Sequence, residues 1–229
     1  MFKTLQNNFL LHKLYFNKTE LERLLMLSAL FSMALTAARV IYTGQWLFVW
    51  LSWNLFLAFV PYAITRFGIR NISWIETNVK FLFLFCSWLV FVPNAFYIIT
   101  DLFHLELRTN IPLWFDLALI LSFAWNGILL GVLSVRQMEK MITIKFPRMK
   151  EWQFVYPIML LNAFGVYIGR YLRYNSWDVV SNPFQLIKDI LYLLVHPIRH
   201  RFDWSMILCY AVLMTLMYVT LKKISKAVW

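Results

Sequence analysis

The residues best able to do chemistry lie at one end of a long apolar run. Asp101 and His104 are three positions apart, so a helix places both on one face, a spacing that suits two metal ligands or an acid–base pair. Asn94 and Tyr97 precede them on the same face, and Pro93 loosens the helical turn that carries Asn94. Because polar side chains are costly in an apolar environment, this stripe indicates a specific contact or a binding site.

A second set of candidates surrounds a later apolar run. Arg170 and Arg173 lie at its end, and guanidinium groups bind phosphate or carboxylate through a rigid fork of donors. The two arginines could instead pair with carboxylates or extend to a polar interface, and the sequence leaves these interpretations open. The predicted ligand-binding residues are Asn94, Tyr97, Asp101, His104, Asp116, Arg170, Arg173, Asn175 and Asp178.

Catalysis would need a base and a group that orients it. His104 is the candidate base, with Asp101 or Asp178 to orient it or to hold a metal. A hydrogen-bonded pair that ends a helix is the simpler interpretation of Asp101 and His104, because no His-rich or Cys-rich set accompanies them. The sequence therefore predicts no metal site and implies no cofactor. It contains no nucleophile elbow, glycine-rich phosphate loop or His-Glu-x-x-His motif.

The composition identifies the class of protein that holds these residues. Hydrophobic residues make up 61% of the 229 residues, charged residues make up 14%, and the mean hydropathy is +0.63. A soluble domain carries about 25% charged residues, so most of this surface must face lipid. The net charge of +11 lies in short clusters between apolar runs, which membrane orientation explains without nucleic acid. We therefore predict an all-α membrane protein that contacts lipids and no nucleic acid.

Six apolar runs are long enough to cross a hydrocarbon core of about 30 Å as helices. They cover residues 21–42, 46–65, 79–100, 113–135, 152–172 and 204–221. The shorter run 183–195 begins with Asn182 and Pro183, a helix-capping pattern, and is amphipathic, so we expect an interfacial helix before the last span. Residues 21–222 then form a single six-span bundle between an amphipathic N-terminal segment, 1–20, and a basic tail, 223–229.

The distribution of Lys and Arg predicts the orientation of the bundle. With the N-terminus inside, 15 of the 22 Lys and Arg residues lie on the cytoplasmic side, as the positive-inside rule expects. Both termini are then cytoplasmic, and the ligand-binding candidates gather at the outer side. Arg39 and Arg108 belong to the outer side as well, and we expect Arg39 to extend to the interface.

Small residues mark the helix faces that can approach a neighbour closely. Residues four positions apart share one face of a helix, and a small pair there lets two backbones come together. These faces predict tight packing of the fourth and fifth spans within the bundle or, alternatively, contact with a partner helix. The pairs are Gly127/Gly131, Gly165/Gly169 and Ala34/Ala38.

Three ordered motifs resemble those of a known family. They are Pro93-Asn94-Ala95-Phe96-Tyr97 with Thr100-Asp101-Leu102 and His104-Leu105, Trp114-Phe115-Asp116 with Ser122-Phe123-Ala124-Trp125-Asn126-Gly127, and Gly169-Arg170-Tyr171-Leu172-Arg173 with Asn175-Ser176-Trp177-Asp178 and Asn182-Pro183. Over residues 80–220 the chain resembles the DUF1361 family of uncharacterised bacterial multi-pass membrane proteins. The resemblance implies a location in the bacterial cytoplasmic (inner) membrane, and it assigns no catalytic role to any residue.

Three functions fit these observations. The first is an outer-facing polar cavity, built by spans three, four and five and covered by the interfacial helix, that binds or helps to transport an anionic small molecule or a lipid headgroup. The second is a membrane-embedded hydrolase or transferase that acts on an envelope lipid. The third is a scaffold subunit whose small-residue faces meet a partner. The predicted midplane holds neutral groups such as Asn54 and no carboxylate, which disfavours a proton-coupled pump.

Overall fold

The computed structural model describes residues 19–106 and 111–227, and the elements in these ranges are helices, as predicted. They are α1 (Thr19–Thr43), α2 (Trp50–Arg70), α3 (Ile72–Glu76), α4 (Asn78–Tyr97), a 3-10 helix (Ile98–His104), α5 (Leu113–Lys145), α6 (Glu151–Arg170), α7 (Asp178–Ser181), α8 (Pro183–Val195) and α9 (Arg201–Ala227). Residues 1–18 of the predicted N-terminal segment, Arg108 and the last two residues of the tail lie outside the described residues.

Six of these helices are 20 to 33 residues long, and consecutive long helices run in opposite directions. Asn54 near the start of α2 and Arg170 at the end of α6 both contact Asp101, which follows α4. On the opposite side, Glu139 in the last part of α5 pairs with Lys222 in the last part of α9. The bundle therefore has two ends, which we call the Asp101 end and the Glu139 end.

Four helical segments are long and apolar enough to cross a membrane, which indicates a membrane-embedded protein. Helices α2 and α6, with 21 and 20 residues, correspond to the other two predicted spans but are not among these four segments. The count of six spans therefore stays a prediction. The four segments are Glu20–Thr43, Asn78–His104, Leu113–Lys145 and Arg201–Ser225.

Helix α5 begins at the predicted residue but continues well past the predicted end at residue 135. Arg136 and Glu139, which follow the predicted end of the span, lie within this helix. Arg136 donates a hydrogen bond to Ser225 Oγ at 2.6 Å, and Glu139 accepts one from Lys222 at 2.6 Å. The helix continues because α9 supplies partners for these polar side chains.

Helix α4 packs against three other long helices. It contacts α2, α5 and α6, and the side chains of Trp88, Val92 and Phe96 have no exposed surface. The indole Nε1 of Trp88 donates to Ser134 Oγ of α5 at 2.6 Å, so the one polar atom of this core side chain is satisfied. A helix with several neighbours can carry a polar stripe because its polar groups meet those helices rather than lipid.

Both glycine pairs lie against α4. A Cβ atom on Gly127 of α5 would lie 2.7 Å from the carbonyl oxygen of Ala95, and one on Gly165 of α6 would lie 2.6 Å from Cγ of Pro93. Helices α5 and α6 therefore approach a common neighbour closely, rather than each other. These glycine faces are covered within the chain.

Helix α8 has the predicted bounds and is too short to cross a membrane. Leu186 and Leu193 on one face are buried, and Nε1 of Trp204 donates to the carbonyl oxygen of Leu193 at 3.4 Å. Phe184 and Leu191 on the other face are exposed. An exposed apolar face beside the start of α9 is consistent with an interfacial location, which stays a prediction.

Replacement of Gly127 by Ala should destabilise the bundle, because the new methyl group would meet the backbone of Ala95, which cannot rotate away. Overpacking of this kind costs about 1–3 kcal/mol. The same change at Gly169, where the nearest contacts are ring atoms of Tyr97 at 3.3 Å, is the matched control and should cost less. Thermal unfolding in one detergent measures both variants. Equal melting temperatures would contradict the close approach at Gly127.

Candidate functional site

A pocket of about 300 Å³ lies at the Asp101 end. Its walls come from the loop before α2, the start of α2, the end of α4, the 3-10 helix and the end of α6. Its volume is at the lower limit of the range of about 300–1,000 Å³ that ligand sites in proteins enclose. The residues that line it are Leu47, Phe48, Trp50, Asn54, Tyr97, His104 and Arg170.

Asp101 lies behind two of these lining residues and has no exposed surface. Nδ2 of Asn54 donates to its Oδ2 at 2.9 Å, and Nη1 of Arg170 lies 3.5 Å from its Oδ1. A carboxylate away from water is strongly disfavoured unless charge and hydrogen bonds compensate for its lost hydration. The burial of Asp101 therefore requires α2, the 3-10 helix and α6 to meet at one level.

The guanidinium group of Arg170 is held from several sides. Its Nη2 donates to the carbonyl oxygen of Thr100 at 2.7 Å, and its Nη1 donates to the hydroxyl of Tyr97 at 3.2 Å. The ring centroids of Tyr97 and Phe103 lie 5.6 and 5.5 Å from its Cζ, within cation–π range. A cation held in this way loses little further side-chain freedom when it binds a ligand.

The three catalytic candidates occupy different positions. His104 is exposed and lines the pocket beside Trp50, whose ring lies edge-on at a centroid distance of 5.1 Å. Asp101 is buried behind the pocket, and Asp178 lies in a separate turn. Within residues 19–106 and 111–227, no three His, Cys, Asp or Glu side chains form a group that could hold a metal ion.

Asp116 lies with Arg39 rather than with Arg170 and Arg173. Nε of Arg39 donates to Oδ1 of Asp116 at 2.7 Å and Nη2 donates to Oδ2 at 3.1 Å, and the two side chains are only 2% and 3% exposed. The expectation that Arg39 extends to the interface is therefore wrong. Arg39 stays buried because a two-point contact with a carboxylate compensates for its lost hydration.

Phe48 contacts both this ion pair and the pocket. Cζ of Arg39 lies 4.8 Å from the ring centroid of Phe48, and Phe48 lines the pocket. The φ angle of Phe48 is +68°, a left-handed conformation that costs a bulky residue about 1–3 kcal/mol. Nη1 of Arg39 is buried and has no hydrogen-bond partner in the described part of the chain. The strained backbone of Phe48 and the guanidinium of Arg39, which has one nitrogen without a hydrogen bond to the described residues, therefore lie side by side near the wall of the pocket.

Asn94 makes a contact away from the pocket. Its Nδ2 donates to Oγ of Ser176 at 2.8 Å, and the hydroxyl of Ser176 donates to the carbonyl oxygen of Val90 at 3.2 Å. The predicted ligand-binding residue Asn94 thus attaches the loop after α6 to α4. This is the packing role that an amide commonly has between membrane helices.

Asn175 and Asp178 form the turn that begins α7. The backbone N–H of Asn175 donates to Oδ2 of Asp178 at 2.6 Å, and the Ser181 hydroxyl donates to Oδ1 at 2.9 Å. Both bonds favour the charged carboxylate and hold the pKa of Asp178 below its usual range. Tyr174 donates to Asp189 of α8 at 2.7 Å, and this bond is the main reason that the pKa of Tyr174 rises to about 12. These contacts connect α6, α7 and α8.

Arg173 does not form a clamp with Arg170. Its φ angle is +60°, and this left-handed residue redirects the chain shortly after the end of α6. Its side chain is exposed and makes no hydrogen bond or ion pair with the residues that the structure describes. Two arginines that the sequence places on neighbouring helical positions therefore differ, because the helix ends between them.

The pocket also contains residues that sequence reasoning missed. The sequence predicts Asn54 as a neutral group near the midplane, but α2 begins at Trp50 rather than at residue 46. Asn54 is therefore about one turn from the helix start and lies level with Asp101. The pocket differs from the predicted cavity, since α2 rather than α5 forms a wall and α8 contributes no lining residue. The sequence signal that could have identified Asn54 was its position as a lone amide within an otherwise apolar run.

The comparisons with known proteins decide the family. The model of the DUF1361 family, described as a protein of unknown function, matches residues 53–218, which is more than half of the chain. The chain belongs to the DUF1361 family. The matched region contains Asn54, Tyr97, His104 and Arg170 of the pocket. No curated protein and no solved structure matches the chain.

Breaking the Arg39–Asp116 pair of this DUF1361 protein by removing one partner should be strongly destabilising. Replacement of Asp116 by Leu leaves a buried cation without a counter-charge and should cost about 3–5 kcal/mol. The double variant Arg39→Met, Asp116→Leu should recover most of that loss, because neither charge remains. Unfolding in detergent measures the single and double variants. Losses that simply add would contradict a direct ion pair.

Proposed function

We propose that this DUF1361 protein binds an anionic group, a phosphate or a carboxylate, in the pocket at the Asp101 end. The observation that carries the proposal is Arg170, which lines the pocket while Thr100 and the rings of Tyr97 and Phe103 hold its guanidinium. A fixed guanidinium matches the geometry of such groups. The ligand would be an anionic small molecule or the headgroup of a lipid.

The other polar groups of the pocket supply hydrogen-bond donors. The Tyr97 hydroxyl accepts a bond from Arg170, so its own proton can be donated to a ligand. The imidazole of His104 carries at least one N–H group. Asp101 has no exposed surface, so a ligand would not meet its carboxylate directly. This lining supports an anionic ligand over a cationic one.

We further propose that six helices cross a bacterial cytoplasmic membrane, with α8 in the interface, both termini in the cytoplasm and the pocket facing outward. Helices α2 and α6 support this arrangement because each is about 30 Å long and runs opposite to its neighbours. The Lys and Arg distribution supports the orientation. The protein would then bind its ligand from the outside, as a receptor or as a component of a transport system.

A membrane-embedded hydrolase or transferase for an envelope lipid is the second candidate. His104 supports it, since this residue lines the same pocket and could act as a general base. The carboxylate of Asp101 is bonded to Asn54 and Arg170, and that of Asp178 is bonded within its own turn. The geometry therefore supports binding better than it supports a catalytic pair.

A scaffold subunit is the third candidate, and one observation favours it. Ala34 and Ala38 are exposed on α1, where a partner helix could approach closely. Gly127 and Gly165 already lie against α4. A partner interface would therefore use α1 rather than the glycine faces.

Replacement of Arg170 by Gln should weaken anion binding at least about tenfold, since a hydrogen bond to a charged group contributes about 1.5–3 kcal/mol. Arg173→Gln is the matched control, because it removes the same charge from an exposed side chain outside the pocket. It should bind as the wild type does. Tyr97→Phe should cause a smaller loss, and this variant tests the site if Arg170→Gln folds poorly.

The measurement uses the full chain in nanodiscs, with inorganic phosphate, acetate and a short-chain phosphatidic acid as probes. Binding of phosphate or acetate assigns the pocket to a small molecule, and binding of phosphatidic acid alone assigns it to a headgroup. The proposal fails if the wild type binds none of the probes. It also fails if Arg170→Gln binds each probe as tightly as the wild type.

A cysteine-accessibility experiment tests whether α6 crosses the membrane. Cys86 and Cys209 are exposed, so both are first replaced by Ser. Single cysteines are then introduced as Arg148→Cys before α6 and Asn175→Cys after it. If α6 crosses, a membrane-impermeant thiol reagent should label the two positions from opposite sides, with residue 148 reached from the cytoplasm. Labelling of both from one side would rule out the crossing.

A further inference from the structure

A second cavity, of about 630 Å³, lies between α1 and α2, and we call it the α1–α2 groove. Its walls are mostly apolar, and several of its side chains are exposed, among them Met26, Phe59 and Phe67. The volume is within the range of ligand sites, about 300–1,000 Å³. In a membrane, a groove with such walls must be filled by apolar groups.

Helices α1 and α2 contact each other at two levels and diverge between them. Toward the Asp101 end, Oγ of Ser52 donates to the sulfur of Met33 at 3.2 Å. Toward the Glu139 end, the Tyr62 hydroxyl donates to Glu22 at 3.3 Å, and Arg66 forms an ion pair with Glu22. Between these levels α1 packs on α5. The groove therefore has a polar contact between α1 and α2 toward each of its ends.

The end of the groove near Glu22 is basic. Arg66 and Arg70 line it together with Glu22, which gives two guanidinium groups to one carboxylate. Arg70 is exposed, and its side chain makes no hydrogen bond or ion pair with residues 19–106 or 111–227. Its donors are available to a ligand. Excess positive charge at the end of an apolar groove complements a phosphate group attached to an acyl chain.

The length of the groove matches one leaflet of a bilayer. From Glu22 to Met33 the axis of α1 rises by roughly 16 Å, at 1.5 Å per residue. Half of a hydrocarbon core of about 30 Å is about 15 Å. A partner helix would need a groove as long as the full thickness of the hydrocarbon core. The contact between Met33 and Ser52 ends the groove at about half of that thickness. The length therefore favours an acyl chain over a helix.

We propose that the α1–α2 groove binds a phospholipid with an anionic headgroup, with an acyl chain between the helices and the phosphate at Arg66 and Arg70. In the predicted orientation this lipid belongs to the cytoplasmic leaflet. The site is separate from the pocket at the Asp101 end and does not depend on what that pocket binds. The bound lipid would fill the space beside α1, a helix that packs mainly on α5.

The test measures lipid retention by the purified full chain with native mass spectrometry, after addition of phosphatidylglycerol or phosphatidylcholine. Ala29→Phe places a ring in the groove, and Ala34→Phe adds the same ring on an exposed face of α1 as its matched control. Arg70→Gln removes a charge from the basic end. Arg23→Gln removes an exposed charge of α1 outside the groove and is the second control.

The wild type should retain one phosphatidylglycerol molecule more strongly than phosphatidylcholine. Ala29→Phe should lose both lipids while Ala34→Phe keeps them. Arg70→Gln should weaken the retention of phosphatidylglycerol about fivefold, with phosphatidylcholine unchanged, and Arg23→Gln should behave as the wild type.

Three results would overturn the proposal. They are unchanged lipid retention in Ala29→Phe, an equal loss in Ala34→Phe, and a lipid-free dimer that Ala29→Phe dissociates, which would assign the groove to a second copy of the chain. Thermal unfolding checks that each variant folds. If Ala29→Phe does not fold, the comparison of Arg70→Gln with Arg23→Gln decides, and equal retention of phosphatidylglycerol by these two variants counts against the site.

Discussion

Compensation of the buried carboxylate of Asp101 is the constraint on which this end of the bundle depends. A charge with no exposed surface is stable only if its partners are fixed around it. Asn54 of α2 and Arg170 of α6 are those partners, so helices distant in sequence must meet the 3-10 helix at one level. The same two side chains line the pocket. The pocket is thus built by the groups that allow Asp101 to be buried.

The other buried ion pairs connect helices near their ends. Arg39 and Asp116 join α1 to α5 at the Asp101 end. At the opposite end, Glu139 accepts hydrogen bonds from Tyr218 and Lys222, which joins α5 to α9. Between these levels the helices are held by apolar packing and by the close approach of α5 and α6 to α4. The ion pairs lie near the helix ends because a charged group costs more free energy at the centre of a bilayer than near its surface.

The sequence predicted the elements more completely than the contacts among them. Apolar runs and Pro183 placed the start of α8 correctly, and helical phase brought Tyr97 and His104 to the same pocket. The sequence left a pairing of Arg170 with a carboxylate as one of several open interpretations, and it did not indicate the partner of Arg39, because such contacts depend on which helices are neighbours. Local patterns carry no such information. Asn54 illustrates the point, since a shift of four residues in the start of α2 changes the level that it occupies.

Phe48, whose backbone is strained, has a ring that contacts both a buried ion pair and the pocket. One side contacts the guanidinium of Arg39, whose Nη1 lacks a hydrogen-bond partner among the described residues, and the ring also lines the pocket. The ring of Phe48 therefore lies between the buried ion pair and the pocket. Because Arg39 joins α1 to α5, the position of this pocket wall depends on how α1 packs against α5.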